Sequence, residues 1–396
     1  MASGWLTALA GVGTLPVPAW LAVLAHPARP WDLRPVDDDP PAPAGPTAWP
    51  DVDVIVPARN EAETLPITLP ALLAQDYPGQ WRVVLVDDRS SDGTAELAVA
   101  LGRGAPPGLL DVVAGCDPPD GWVGKVWALA QGERHAAGRQ SRWTLLTDAD
   151  ILHAQDSLRR LVAEAEARDL ALDSRMARLR CRSPAERLLV PAFVLFFYLL
   201  FPPRWANRAG SRTSSAAGGC ILVRRDALER AGGFAAIRGA LIDDLALARR
   251  VKRSLGLRTR IATSRSAVTS VRGYETVGGV WRMVRRSAFT QLRGSWALLG
   301  GVLVAIALLF VVPPLALAAG VGLTVADAGG AAGPWLAAAG LAAWLLMIVV
   351  ALPAVRFFGL PGRWAVAMPV AGALYGAMTL DSALRGTTSA DGWRSP

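Results

Sequence analysis

The sequence predicts an α/β domain built on a doubly wound, mostly parallel sheet and flanked by transmembrane helices. Three observations carry that expectation. From residue 52 onward, strand-like apolar runs alternate with helix-period segments, the pattern of right-handed strand–helix–strand crossovers. Polar and acidic residues close these runs, at Asn60 and Glu61, at Asp87 and Asp88, and at Asp148 and Asp150. Long apolar segments lie toward both ends of the chain and leave a mixed-composition middle.

Composition narrows the class further. A hydrophobic share of 52% and a mean hydropathy of +0.31 over 396 residues are high for a soluble protein. The net charge of +8 comes largely from arginine in the middle region and beside the apolar segments, which points to the cytoplasmic side of a membrane and to anionic lipid. No zinc, RNP or helix-turn-helix signature accompanies the basicity, so no nucleic-acid partner is expected. Cys116, Cys181 and Cys220 are too irregularly spaced for a metal site or a disulfide framework, and they read as reduced thiols of a cytoplasmic domain.

Taken in order, residues 1–25 read as an anchor. Trp5 to Leu24 is about the ~20 residues that cross a bilayer, is interrupted by Pro16 and Pro18, and has no small-residue cleavage site. Residues 26–50, rich in Pro and Asp without hydrophobic periodicity, read as a linker. Val52 to Pro57 is a buried-strand run, followed by the turn Ala58 to Glu61 and a helix carrying Leu65, Leu69, Leu72 and Leu73. The strand Trp81 to Val86 ends in Asp87 through Thr94, and a helix runs from Ala95 to Gly102. A third strand, Leu109 to Val113, leads through a Pro/Gly-rich loop to Gly121 through Lys125 and a helix from Val126 to His135.

The strand Trp143 to Leu146 then delivers Thr147, Asp148, Ala149 and Asp150. If strand geometry persists, Asp148 and Asp150 share a side and address one point. Such a pair suits a hard divalent cation that holds a diphosphate, or alternatively a solvated turn capping the helix near Ser157. Ligands of parallel sheets sit outside the carboxyl ends of the strands, where Asn60, Glu61, Asp87, Asp88, Lys125, Asp148 and Asp150 all fall. That convergence favours the metal–diphosphate reading.

Leu158 to Arg168 reads as a helix and Ala171 to Arg180 as a strand. Leu188 to Phe201 is apolar but short for a span, which leaves a core helix or an interfacial helix. Asp243 and Asp244 begin a helix, where carboxylates are favoured by the dipole alone. Gly278 to Trp296 interleaves Arg282, Arg285, Arg286 and Arg293 with Trp281, Phe289 and Trp296, as a membrane-surface helix, a diphosphate clamp, or both. Three apolar segments follow, Ala297 to Leu323, Pro334 to Val355 and Trp364 to Leu380, the last interrupted by Pro369. The first intervening loop lacks positive charge and is expected outside, whereas Arg356 and Arg363 place the second inside. The expected organisation is thus a catalytic domain over 51–296, with possible interfacial helices at 188–202 and 278–296, a membrane region over 297–385 and a tail over 386–396.

These motifs resemble an inverting glycosyltransferase of family 2 on the GT-A nucleotide-sugar fold. The matching stretches are Val54 to Glu61, Val86 to Thr94, Thr147 to Asp150, and Asp243–Asp244 with its helix. More narrowly, Gly121 to Lys125, Leu146 to His153, Pro191 to Val194, Ala217 to Cys220, Leu241 to Asp244 and Ala288 to Leu292 are similar to the hopene-associated glycosyltransferases of bacteria. The resemblance implies a multi-pass protein of the bacterial cytoplasmic (inner) membrane that moves a sugar from a UDP- or GDP-sugar to a lipid acceptor, with Mg2+ or Mn2+. It also implies roles at matching positions. Pro57, Asn60, Glu61, Asp87 and Asp88 would hold the nucleoside, and Lys125 would reach the diphosphate. Asp150 would bind the metal, Asp148 the metal or ribose, and Asp244, with Asp243 beside it, would supply the general base. Related enzymes carry a Gln-x-x-Arg-Trp motif on the acceptor and diphosphate side; Gln291, Arg293 and Trp296 stand there with altered spacing.

Overall fold

The computed structural model describes residues 2–34 and 45–385. Part of the expected linker, residues 35–44, and the expected tail, 386–396, lie outside the described residues. The chain forms two compact units. One draws on Met1–Leu33, Cys181–Pro202 and Tyr274–Thr387, and the other on Arg34–Arg180 and Pro203–Gly273.

The second unit contains the sheet. Its strands are β1 (Val52–Ala58), β2 (Trp81–Asp87), β3 (Leu110–Ala114), β4 (Trp143–Thr147), β5 (Ile151–His153), β6 (Leu172–Met176), β7 (Cys220–Arg224), β8 (Thr259–Thr263) and β9 (Val268–Ser270). Seven of them form one sheet in the order β3-β2-β1-β4-β7-β6-β8, while β5 and β9 pair separately. Neighbours are parallel except around β7, which runs antiparallel to both β4 and β6. The seven residues of β1 are all buried, as a central strand covered on both faces requires. Its one charged member, Asp53, is fully buried and held by Arg225 at 2.5 Å and Arg82 at 3.4 Å. Strand order reverses beside β1, between β2 and β4. A crevice therefore opens at the carboxyl ends of β1 and β4.

Several sequence expectations shift here. Asp148 and Asp150 do not continue a strand: β4 ends at Thr147, and the Ile151 amide donates to the Asp148 carbonyl at 3.1 Å, closing a turn. The alternation that would set both carboxylates on one side is therefore lost. The strand expected over Ala171 to Arg180 stops at Met176, and Arg178 leaves to bridge Thr269.

The first unit is helical. Among the described residues, four helices are long and apolar enough to cross a membrane, by length and composition alone: Ala8–Ala25, Pro184–Ala206, Trp296–Val325 and Ala332–Phe357. The segment expected to be short for a span thus lies in a longer apolar run, begun by a capping box between Ser183 and Glu186. The last apolar segment splits into Arg363–Val366 and Met368–Arg385 and is not among the four. Close packing of Val312–Val325 against Ala332–Phe357 depends on small residues. A Cβ on Gly340 would stand 2.4 Å from the Leu317 amide nitrogen, so these backbones meet only because the site has no side chain.

Candidate functional site

Two loops at the carboxyl ends of β1 and β2 form one wall of the site. Asn60 and Arg89 adopt left-handed backbone with φ of 55° and 56°, a conformation Asn tolerates better than Arg. The loops are laced together. The Asn60 amide donates to Ser90 Oγ, Ser91 N donates to the Asn60 side-chain oxygen, and Glu61 N donates to Thr94 Oγ1, each at 2.9 Å. Asn60 is thus first a fastener between loops. Asp88 is fully buried and takes Arg59 at 2.9 Å and Arg89 at 3.3 Å. Asp87 accepts from Ser90 N through Oδ2, while its buried Oδ1 has no protein partner among the described residues. Of the two aspartates, Asp87 keeps the open acceptor.

The second wall gathers four charged groups. The helix Gly124–Ala136 presents Lys125 from its first turn, and Lys125 Nζ lies 2.7 Å from Asp148 and 3.5 Å from Asp243. Asp244 opens the helix Asp243–Arg249 and accepts from Gly218 N at 2.8 Å and from Leu245 N at 2.6 Å. Gly218 permits that approach: a Cβ there would meet Lys125 Nζ at 3.3 Å and Asp244 Oδ2 at 3.4 Å. Pro57 and Thr147 line the same narrow crevice.

Crowding sets the ionisation. Burial and the neighbouring Asp243 push the Asp244 carboxyl up to about 7, against partial relief from Lys125 and the two amides. Burial also raises Asp148, opposed by Lys125. For Lys125 burial acts downward, but Asp148, Asp243 and Asp244 outweigh it and hold the ammonium above its usual range. A lysine fixed as a cation among three carboxylates is a ready counter-charge for a diphosphate.

Asp150 turns the other way. It accepts from Ser270 Oγ at 3.0 Å and from Arg272 Nε at 3.1 Å, and Arg272 also grips Glu61. Burial raises Glu61 despite that arginine. The structure therefore brings Asp148, Lys125, Asp243 and Asp244 together, and joins Glu61 to Asp150 through Arg272. Gln291, Arg293 and Trp296 belong to the other compact unit. There Arg293 has a φ of 55°, and Trp296 stacks on Phe289 at 5.4 Å. Sequence reasoning missed Arg59, Ser270 and Arg272. None sits in a periodic or acidic pattern, and β9, which carries Ser270 two residues before Arg272, has only three residues.

The chemistry of the acidic turn, two carboxylates, suits a Mg2+ or Mn2+ ion, although Asp148 and Asp150 are turned to different partners. Such ions take one or two carboxylates and complete their shell with phosphate oxygens and water. Asp148 and Asp150 supply two carboxylates, and among the described residues no group of three or more His, Cys, Asp or Glu forms a closed cage. Both are at present neutralised by Lys125 and Arg272, which such an ion would have to displace.

The strand order, its switch point and the acidic turn are those of a GT-A fold, in a chain that also carries long apolar helices. Residues 53–232 match the model for glycosyl transferase family 2. An N-acetylglucosaminyltransferase of Mesorhizobium japonicum is 30% identical over 201 residues, covering 50% of this chain and 44% of that protein. An undecaprenyl-phosphate 4-deoxy-4-formamido-L-arabinose transferase of Salmonella choleraesuis is 29% identical over 117 residues, 29% of this chain and 33% of its own. The chain thus spans less than half the length of these relatives. Among solved structures, a mannosyltransferase of Pyrobaculum calidifontis in complex with GDP-Man and Mn2+ aligns over 94% of this chain and 99% of its own, with a TM-score of 0.53 and 21% identity. That likeness is one of fold.

Proposed function

We propose that the protein is an inverting glycosyltransferase that moves a sugar from a UDP- or GDP-sugar to the hydroxyl of a lipid, a hopanoid or other isoprenoid, at the cytoplasmic face of the bacterial inner membrane. The observation that carries this reading is the cluster of Lys125, Asp148, Asp243 and Asp244 at the β1/β4 crevice, with Lys125 2.7 Å from Asp148. Inversion is a single displacement. Asp244 takes the proton of the acceptor hydroxyl as its oxygen bonds to the anomeric carbon and the bond to the diphosphate breaks. A carboxyl poised at about 7 is matched to that duty at neutral pH. Asp243 keeps Asp244 basic, and the Gly218 and Leu245 amides fix its orientation. Lys125 neutralises the departing diphosphate. Pro57, Asn60, Glu61, Asp87 and Asp88 shape the nucleoside end, and the buried Oδ1 of Asp87 is the acceptor open to it. A Mg2+ or Mn2+ ion on Asp150 and Asp148 would supply further charge neutralisation to the diphosphate. Gln291, Arg293 and Trp296 are assigned to the acceptor side.

A second reading, transfer to a polyprenyl phosphate, is favoured by the name of the Salmonella relative. The two differ in what Asp244 must do, because a phosphate acceptor is already ionised at neutral pH and needs no base. Purified protein is incubated with labelled UDP- and GDP-sugars and with either a lipid alcohol or a polyprenyl phosphate. Loss of transfer to the alcohol in Asp244→Asn supports the first reading. Full transfer by both Asp244→Asn and Asp150→Ala removes the assigned roles.

A further inference from the structure

A cavity of about 550 Å³ opens at the amino-terminal ends of β6 and β8, the edge of the sheet opposite Asp148. Its size falls in the range of small-ligand sites. Its wall is cationic: Arg208, Arg212, Lys252, Arg253, Arg258 and Arg260 line it, and no carboxylate does. Glu164, behind the wall, is shared by Arg260 and Arg168 at 2.6 Å each. Among the described residues, Arg208, Arg212, Lys252, Arg253 and Arg258 form no ion pair.

Lys252 is the informative member. It is only 8% exposed, and among the described residues its ammonium donates to the Ala206 carbonyl alone, leaving two of its three N–H donors without a partner there. Burial and the adjacent Arg253 push it below its usual range. An ammonium buried among guanidinium groups is costly unless an anion completes the set. Arg253 is tied by its Nε to the Arg212 carbonyl at 2.5 Å, which fixes the rim around that position.

We propose that this cavity binds a phosphate group, independently of the donor site and of its chemistry. Several guanidinium forks around one ammonium suit the several oxygens of a phosphate. Two sources present that group, a phospholipid headgroup and a soluble phosphate. The chain favours the first: the loop carrying Arg208 and Arg212 begins directly after the apolar run Pro184–Ala206, so its cations follow a segment fit for lipid.

The test is calorimetric titration of the full chain in neutral detergent with inorganic phosphate, short-chain phosphatidylglycerol and short-chain phosphatidylcholine. The comparison is Arg208→Ser/Arg212→Ser/Arg258→Ser, three exposed positions whose loss leaves the core untouched. The parent is expected to bind phosphatidylglycerol at least about tenfold more tightly than the triple variant, with affinity falling as salt rises. Preference for phosphatidylglycerol over phosphate assigns the lipid source, and equal binding of the two assigns a soluble one. Arg258→Lys, which keeps the charge, is expected to retain most of the affinity and so separates charge loss from misfolding. Equal binding of phosphatidylglycerol by parent and triple variant, equal binding of phosphatidylcholine, or no binding at all overturns the proposal. None of these readouts depends on sugar transfer.

Discussion

Asp244 accepts two backbone amides and still sits near neutrality because Asp243 adjoins it and Lys125 is shared with Asp148. In the proposed role of base Asp244 must be ionised, so kcat/KM should fall as pH drops through about 7. That limb belongs to the whole cluster of Asp148, Asp243, Asp244 and Lys125 rather than to one group. Asp244→Asn should lower kcat roughly 10²- to 10⁴-fold, the usual span for a lost general base. Lys125→Met removes the only cation facing Asp244, among the groups that set its ionisation, and should move the acidic limb upward by about one unit or more. A pH–rate profile of both variants measures this; an unmoved limb in Lys125→Met would sink the assignment. Around the site, Asp87, Asp88, Asp148 and Asp150 were legible because they close apolar runs, and Asp243 and Asp244 because they begin a helix. The wiring was not: Arg59 clasps Asp88 across 29 positions and Arg272 clasps Asp150 across 122, separations that no local pattern reports.

At the scale of elements, the turn after β4 is held from below by a buried relay. Thr147 Oγ1 donates to the Gly219 carbonyl at 2.9 Å and meets His153 Nε2 at 2.8 Å, while His153 Nδ1 meets Ser157 Oγ at 3.1 Å. Burial lowers His153 to about 4, so it is neutral in the fold at pH 7. In the unfolded chain it takes a proton below about 6.5. The unfolded state therefore binds more protons between about pH 4 and 6.5, and stability falls as pH drops through that window, by about 3 kcal/mol at most. His153→Gln keeps polar contacts without the titration. Its thermal midpoint in detergent should lose less between pH 7 and 4.5 than that of the parent, and an equal loss would exclude His153 as the cause. The alternation of strands and helices up to β4 was readable because βαβ units write both periods into the chain. The antiparallel direction of β7 and the short β5/β9 pair were not. Their three- to five-residue strands carry too few positions for a period, and their pairing is decided by partners far along the chain.

For the whole molecule, connectivity constrains which apolar helices cross a bilayer. Pro184–Ala206 has the length and composition of a span, yet it connects β6 to β7, and Leu172 pairs with Val223 in one sheet. A single crossing would put the two ends of this helix about 30 Å apart on opposite faces of the membrane. The only segment left to return would be residues 207–219, where helix and strand are absent and backbone groups would go unpaired in lipid. Connectivity thus argues against a crossing by this helix and for an interfacial or packed position. The candidate crossings that remain are Ala8–Ala25, Trp296–Val325 and Ala332–Phe357. Arg282, Arg285, Arg286 and Arg293 precede the second of these and Arg356 and Arg363 lie beside the end of the third, so the positive-inside rule predicts the loop around Gly359 inside and the loop around Asp327 outside. Alkaline phosphatase joined after Ala328 should be active, and joined after Gly362 inactive. A crossing at Pro184–Ala206 without a return would invert both results, because it would reverse the side from which every later helix departs.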